Sequence, residues 1–358
     1  MHVWLRQSNG ICARFGPLFG DITIIGIGAF VASFVLTGLV RKLASAIGVL
    51  DVPNARSSHT VPTPRGGGLA IVLVVTSVIS VAVVLGRLSW QTFAALAGGG
   101  LAVAAIGLLD DRRPVPAAVR LVVHFAAAVW ALVWLGGLPV LQIGSRFVQF
   151  GIEGYVLGAL GIVWVLNLYN FMDGIDGIAA SESIFILGSA AGLALLTNGP
   201  GGDIPIVSVA LGAACAGFLV WNWPPARIFM GDVGSGYLGF TIAVLALVSA
   251  RENAASLLAW LILGGVFFVD ATVTFIRRLA RGEAPHVAHR SHAYQWLSRR
   301  WGSHLRVTLA ILLLNLLWLL PLAAYAWMNP ALAAWVAGVA ILPLIFLAIA
   351  SGSGRPEV

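Results

Sequence analysis

The stretch NLYNFMDGIDGIAA, Asn167 to Ala180, lies between two apolar runs, Gly158–Leu166 before it and another beginning at Ile184. Two aspartates and two asparagines therefore stand at the rim of segments suited to lipid. An ionisable side chain in such a place is a functional-site candidate by default. Reading outward from this stretch settles the fold class.

The chain has 358 residues, 59% hydrophobic and 10% charged, with a mean hydropathy of +0.95. Soluble domains carry about 25% charged residues, so this is a polytopic membrane protein. Stretches long enough to span, about 20 apolar residues each, number eleven: roughly 21–40, 68–86, 92–109, 118–135, 154–170, 178–197, 204–221, 236–250, 256–276, 305–327 and 331–350. The expected fold is an all-α integral membrane bundle, read as one domain over 1–358. Residues 1–20 lack the apolar core of a cleaved signal peptide. Cys12 and Cys215 have neither metal-ligand nor disulfide spacing. The tail SGSGRPEV, Ser351 to Val358, is expected to be disordered.

The net charge of +7 does not indicate nucleic acid, because 20 of the 21 basic residues are arginines scattered in short loops. With the N-terminus outside, sixteen basic residues fall on one side and five on the other. The richer side is then cytoplasmic. That orientation places the N-terminus in the periplasm and the C-terminus in the cytoplasm of a bacterial inner membrane. One long outer connection, Gly136–Gly154, alternates around Gly144-Ser145 and reads as a small β-hairpin near 138–152. The inner loops, about 43–67, 110–117, 170–177, 222–235 and 277–304, hold six of the nine aspartates and five of the seven histidines. The chemistry is expected there.

Within DGIDG, Asp173 and Asp176 are three apart and on a helical turn would share a face at about 5–6 Å. Asn167 and Asn170 extend the same spacing backwards into one polar stripe. In LLDDRRP, Leu108 to Pro114, Asp110 and Asp111 point to different faces unless the helix ends there, which Pro114 favours. In NWPPARIFMGDVGSGYLGF, Asn222 to Phe240, Asp232 opens a helix among glycines. Such a terminus offers N–H groups to phosphate, and the carboxylate suits Mg²⁺, which takes one or two carboxylates plus phosphate oxygens. His289 and His292 are spaced to share a face, and phosphate contact suits them better than zinc, since no H-E-x-x-H pattern is present. Glu182 and Asp270 are lone ionisable residues within spans.

Together these motifs resemble the polyprenyl-phosphate N-acetylhexosamine-1-phosphate transferases, the MraY and WecA family (glycosyltransferase family 4). The likeness runs from about Asp51 to Leu297 and rests on DVPNARSSH…PTPRGGG, LLDD, NLYNFMDGIDG and NWPPARIFMGDVGS, in the family's order. HRSHAYQ, His289 to Gln295, points to bacterial enzymes that initiate O-antigen or similar polysaccharides. The resemblance implies that undecaprenyl phosphate attacks the β-phosphorus of a UDP-N-acetylamino sugar and that UMP leaves. Mg²⁺ is implied, with Mn²⁺ as a substitute. Asp232 would hold the metal, and Asp110, with Asp111 beside it, would orient or deprotonate the lipid phosphate. Asp173, Asp176 and Asn170 would line the nucleotide pocket, with Phe229 against the uracil. Asn222 and His292 would contact the pyrophosphate. Asn167, His59, Arg65, His289 and Arg290 complete the expected substrate-binding set, and dimers are common in the family.

Two departures stand out. The family's histidine run is here His289-Arg290-Ser291-His292, and only Arg56 and Arg65 stand near PTP, where MraY has a lysine. Arginine is a planar fork rather than a point charge, so the exchange is not neutral. A single displacement is preferred over a covalent aspartyl route, because the lipid phosphate is already anionic. Two rivals are a sugar transporter, which would place ionisable groups near mid-membrane, and a CDP-alcohol enzyme, whose D-G-x-x-A-R box is absent.

Overall fold

The computed structural model describes residues 2–53, 61–143, 146–253, 256–283 and 289–356, with side chains from residue 20 onward except that of Ile143. His59, Arg56 and His286 lie outside the described residues. All eleven apolar stretches are helical. In chain order the structure runs α1 (His2–Ile47), the short pair β1 (Leu50–Asp51) and β2 (Thr63–Pro64), α2 (Gly68–Val84), α3 (Trp90–Arg112) and α4 (Ala117–Leu135). There follow β3 (Leu141–Ile143), β4 (Arg146–Val148), α5 (Ile152–Met172), α6 (Ile178–Asn198), α7 (Asp203–Asn222) and α8 (Asp232–Glu252). The chain closes with α9 (Ser256–Leu263), α10 (Gly265–Ala280), α11 (Ala293–Trp301), α12 (His304–Leu314), a π-helical turn (Asn315–Leu319), α13 (Leu320–Met328), a 3-10 turn (Pro330–Leu332) and α14 (Ala333–Ser351).

Helices dominate because lipid offers no partner to backbone N–H and C=O groups, so each segment must satisfy its own. Among the described residues nine helices are long and apolar enough to cross a membrane. The stretch expected to span 256–276 is instead a pair, α9 and α10, bent by 74° at Gly264. α2 is apolar but has only 17 residues. β3 pairs antiparallel with β4, Gln142 opposite Phe147, on the segment where a hairpin was expected.

α8 is the axis of the bundle. Every residue from Val233 to Ala250 is buried, with α3 and α5 packed along it. Small residues permit this, since van der Waals contact rather than water exclusion holds membrane helices together. A Cβ on Gly107 of α3 would come within 2.5 Å of the Asp232 carbonyl. The end of α3 is thereby pressed against the start of α8.

The tail is not wholly disordered. Gly352, Ser353 and Gly354 are buried, and the Gly354 N–H donates to the Ser291 carbonyl at 2.6 Å. Composition suggested a free end, but buried polar partners on α10 and on the loop before α11 hold it.

Candidate active site

Five aspartates gather at the end of the bundle where α3 and α5 finish and α8 begins. Their arrangement starts from Gly231, whose φ of +77° suits only a residue without a side chain. A Cβ there would also strike the Asp111 carboxylate at 2.4 Å. Asp111 fills that place because it caps α8. Its two oxygens accept the N–H groups of Asp232, at 2.9 Å, and Val233, at 3.1 Å. Arg65 donates to the same carboxylate at 2.6 Å. The expectation that the α8 N-terminus offers free N–H groups to phosphate is therefore corrected, since Asp111 already occupies the first two.

Asp232, released from capping, presents its carboxylate outward. Asn170 donates to its Oδ1 at 2.9 Å and to Ser235 Oγ at 3.0 Å. Arg120 stands 3.3 Å from its Oδ2, and Arg65 3.8 Å from its Oδ1. Asp110, on another face of α3, accepts the Val115 N–H and Arg120 Nη1, each at 2.6 Å. Arg120 thus joins Asp110 to Asp232. Adjacent aspartates do point apart, as expected, yet both bear on the start of α8.

The stripe expected along Asn167, Asn170, Asp173 and Asp176 does not form one wall. α5 ends at Met172, and Gly177 is left-handed at φ +75°, so Asp176 lies in a turn rather than on a helical face. Asn167 donates back to the Val163 carbonyl at 2.7 Å, while Asn170 turns to Asp232. Asp176 accepts the Ala226 N–H at 3.1 Å and meets His304 Nδ1 at 3.3 Å. Asp173 forms no side-chain hydrogen bond among the described residues. Removal from water, then the Asp232 and Asp111 carboxylates, push its pKa up to about 7 against the pull of Arg65.

The loops are stapled to one another. Asn222 is buried, accepting the Gly177 N–H and donating to the Ile228 carbonyl, both at 2.9 Å. Phe229 donates its N–H to Pro64 O and accepts from Gly67 N. These backbone bonds deliver Arg65 to Asp111. Asn222 is thus a tie between loops, using both ends of its amide inside the protein.

A cavity of about 590 Å³ reaches one of the five aspartates, Asp176, and is lined also by Arg290, Gln295, Ser298, Arg299 and His304, among others. His292 is buried at the start of α11. Its ring stacks with His289 at 4.9 Å and faces Phe171 at 6.4 Å. The two histidines meet, as their spacing suggested, although His289 precedes the helix. Asp270 accepts the Ala293 and Tyr294 N–H groups at 2.8 and 3.1 Å, so this lone intramembrane carboxylate is a cap for α11.

Sequence reasoning missed Arg120, which it counted only towards orientation, and His304, which it counted only as a loop histidine. A basic residue six positions after Pro114, within the first turn of a span that follows LLDD, was the available signal. Ser235 and Thr308, which donates to the Asp176 carbonyl at 3.4 Å, gave none.

Among the described residues no three His, Cys, Asp or Glu converge into a complete metal cage. The donor set instead fits a hard cation held by one or two carboxylates and completed by a ligand's oxygens. The crowding that raises Asp173 is the second sign, because a divalent ion beside Asp232 would offset it.

Residues 92–250 match the family model described as glycosyl transferase family 4. The chain is 31% identical, over 82% of each protein, to a probable undecaprenyl-phosphate N-acetylglucosaminyl 1-phosphate transferase of Bacillus subtilis. It is 30% identical, over 92% of this chain and 88% of the relative, to a decaprenyl-phosphate N-acetylglucosaminephosphotransferase of Mycolicibacterium smegmatis. A phospho-N-acetylmuramoyl-pentapeptide-transferase of Moorella thermoacetica is 35% identical over 47% of this chain and 55% of its own length. With two near-full-length relatives at this level, and with the four quoted loops meeting around the start of α8, the chain belongs to glycosyl transferase family 4, the membrane transferases of the MraY and WecA type.

Proposed function

We propose that this protein transfers an N-acetylamino-sugar 1-phosphate from a UDP-sugar to undecaprenyl phosphate, on the cytoplasmic face of a bacterial inner membrane. An oxygen of the lipid phosphate bonds to the β-phosphorus of the donor. The bond from that phosphorus to the bridging oxygen breaks, and UMP leaves with the electron pair. The product is undecaprenyl-diphospho-sugar, the first lipid-linked unit of an O-antigen or similar surface polysaccharide. The observation that carries this reading is the Asp232 carboxylate, set at a helix start 3.8 Å from Arg65 and 3.3 Å from Arg120.

Asp232 would hold Mg²⁺, with Asp110 next to it. A bound ion would supply positive charge against which the anionic donor and acceptor phosphates, and the charge building on the leaving UMP, would be offset. The chain's own residues do the rest. Arg120 and Arg65 keep the acidic oxygens in place and offset phosphate charge. Asp110 accepts from Val115 and Arg120, whereas Asp173 makes no side-chain hydrogen bond among the described residues and is the carboxylate least engaged, placed to take a proton from the acceptor phosphate. Asp176, fixed by Ala226 and His304, walls the donor cavity, and the arginines there suit a diphosphate.

The test is UMP release by purified protein given undecaprenyl phosphate, Mg²⁺ and a panel of UDP-N-acetylamino sugars. UMP that depends on the lipid and on one donor, and that is lost in Asp232→Ala, is the expected result. Folded protein that releases no UMP from any donor would sink the proposal.

A further inference from the structure

We propose that the C-terminal strap, Ser351 to Arg355, is a positioning part of the active site that seats the His289–His292 loop against α10 and so sets where His292 stands. The proposal rests on the transferase reading given above.

The strap leaves the end of α14. Gly352 and Gly354 have φ of +107° and +67°, so the chain turns twice within three residues instead of running into solvent. That turn drives Ser353 inward until it is fully buried. Its Oγ donates to Asp270 Oδ1 at 2.7 Å. The Gly354 N–H donates to the carbonyl of Ser291, the residue before His292, at 2.6 Å. From α10, Arg277 Nη1 donates to the Ser353 carbonyl at 2.6 Å, and Arg281 Nη1 donates to the Gly354 carbonyl.

Strap and loop thus meet on one carboxylate. Asp270 takes the Ser353 hydroxyl, the Thr274 hydroxyl and the N–H groups of Ala293 and Tyr294. His292 Nδ1 lies 3.8 Å from the same Oδ1 that Ser353 occupies. Taking Ser353 away removes one of the three donors on that oxygen, leaving the Ala293 N–H and the Thr274 hydroxyl, and so shifts its balance towards the His292 ring. Taking the strap away also releases Ser291. The strap engages two arginines, a buried carboxylate and a loop carbonyl, on residues 63 to 83 positions earlier in the chain. The fit is close, since a Cβ at Gly354 would come within 2.9 Å of Arg277 Cβ.

The experiment compares kcat and KM for the UDP-sugar, in the full-length protein at saturating undecaprenyl phosphate, across Ser353→Ala, Ser353→Thr, a chain ending at Ser351 and a chain ending at Arg355. Hydrogen exchange of residues 289–296 is followed in each. A hydrogen bond to a buried carboxylate should be worth roughly tenfold in kcat/KM when Ser353→Ala removes it, with a larger loss on ending the chain at Ser351. Ser353→Thr should restore most of the activity, and ending the chain at Arg355 should change nothing. Losses should fail to add to that of His292→Ala, as for groups that act through one another, and exchange at 289–296 should speed up.

Full activity in Ser353→Ala and in the chain ending at Ser351 would overturn the proposal. So would losses that simply add to His292→Ala, or unchanged exchange at 289–296. If the native chain released no UMP, the transferase reading would fail by itself, and the exchange measurement would still decide whether the strap holds the loop.

Discussion

α8 and α11 begin in the same way. Each rests its first two N–H groups on a carboxylate from another helix: Asp111 of α3 takes those of Asp232 and Val233, and Asp270 of α10 takes those of Ala293 and Tyr294. In both cases a helix N-terminus that could have held an anion has been neutralised from within. The side chains exposed by that arrangement differ in sign. At α8 the helix's own first residue is acidic and is met by Arg65, Arg120 and Asn170. At α11 the start is occupied by His292 against His289, with Arg290 and Arg299 in the adjoining cavity. One capping device thus builds an acidic end and a basic end, and the proposed transfer of a metal-bound diphosphate would use both.

The comparison breaks most visibly at Asp232. Asp232→Ala should lower UMP release by about 10³-fold, the scale of removing a preorganised electrostatic group, with folding intact because the cap uses the Asp232 backbone and not its side chain. A thermal midpoint that fell along with activity would deny that separation. Next in size, Asp111→Ala should cost about 3 kcal/mol of stability, because it strands Arg65 and two N–H groups in a buried setting. Asp270→Ala should cost a similar amount, for four donors lose their acceptor. Detergent-solubilised unfolding of the two variants measures this, and a negligible loss in either would show that the two starts are not built alike.

A smaller effect concerns pH. Asp173 has its pKa raised to about 7 in the folded protein, so between about 4 and 7 the folded state holds its proton more tightly than the unfolded chain does. The stability this contributes is fully present below about 4 and is lost as pH rises through about 7. In EDTA the thermal midpoint should fall by a few degrees from pH 5 to pH 8, and Asp173→Asn should flatten that slope. The smallest shift is expected for Arg120→Gln. Removing a cation beside Asp232 should lower the half-saturating Mg²⁺ concentration a few-fold while kcat also falls. A higher Mg²⁺ requirement would show that Arg120 helps the ion rather than competing with it.

Much of the site was legible before the structure. Asp232 at a helix start, Asp110 with Asp111 at a helix end and the meeting of His289 with His292 all follow from local signals: glycine and proline boundaries and short spacing. What failed was the extension of local spacing over a break. The interval from Asn167 to Asp176 is regular, but the chain leaves the helix after Met172. Asn167 turns to Val163, Asn170 to Asp232 and Ser235, and Asp176 to Ala226 and His304, while Asp173 makes no side-chain hydrogen bond among the described residues. The free N–H groups expected at α8 failed for another reason. Their acceptor, Asp111, comes from the end of α3, 121 positions before Asp232, and spacing carries no record of that.

By itself, then, the sequence determined a bundle of membrane helices with its polar residues drawn to their ends. Lipid leaves no other solution for a chain this apolar, and glycine and proline mark those ends locally. Only the tertiary structure decided that Asp111 caps α8 and that the Asp232 carboxylate stands between Arg65 and Arg120. It also brought Arg120 to Asp232 and the C-terminal residues to Ser291. Those choices depend on which helix ends come within hydrogen-bond reach, and that reach is set by close packing at positions such as Gly107 against Asp232. Packing of that kind belongs to pairs of helices, and no single stretch of the chain encodes it.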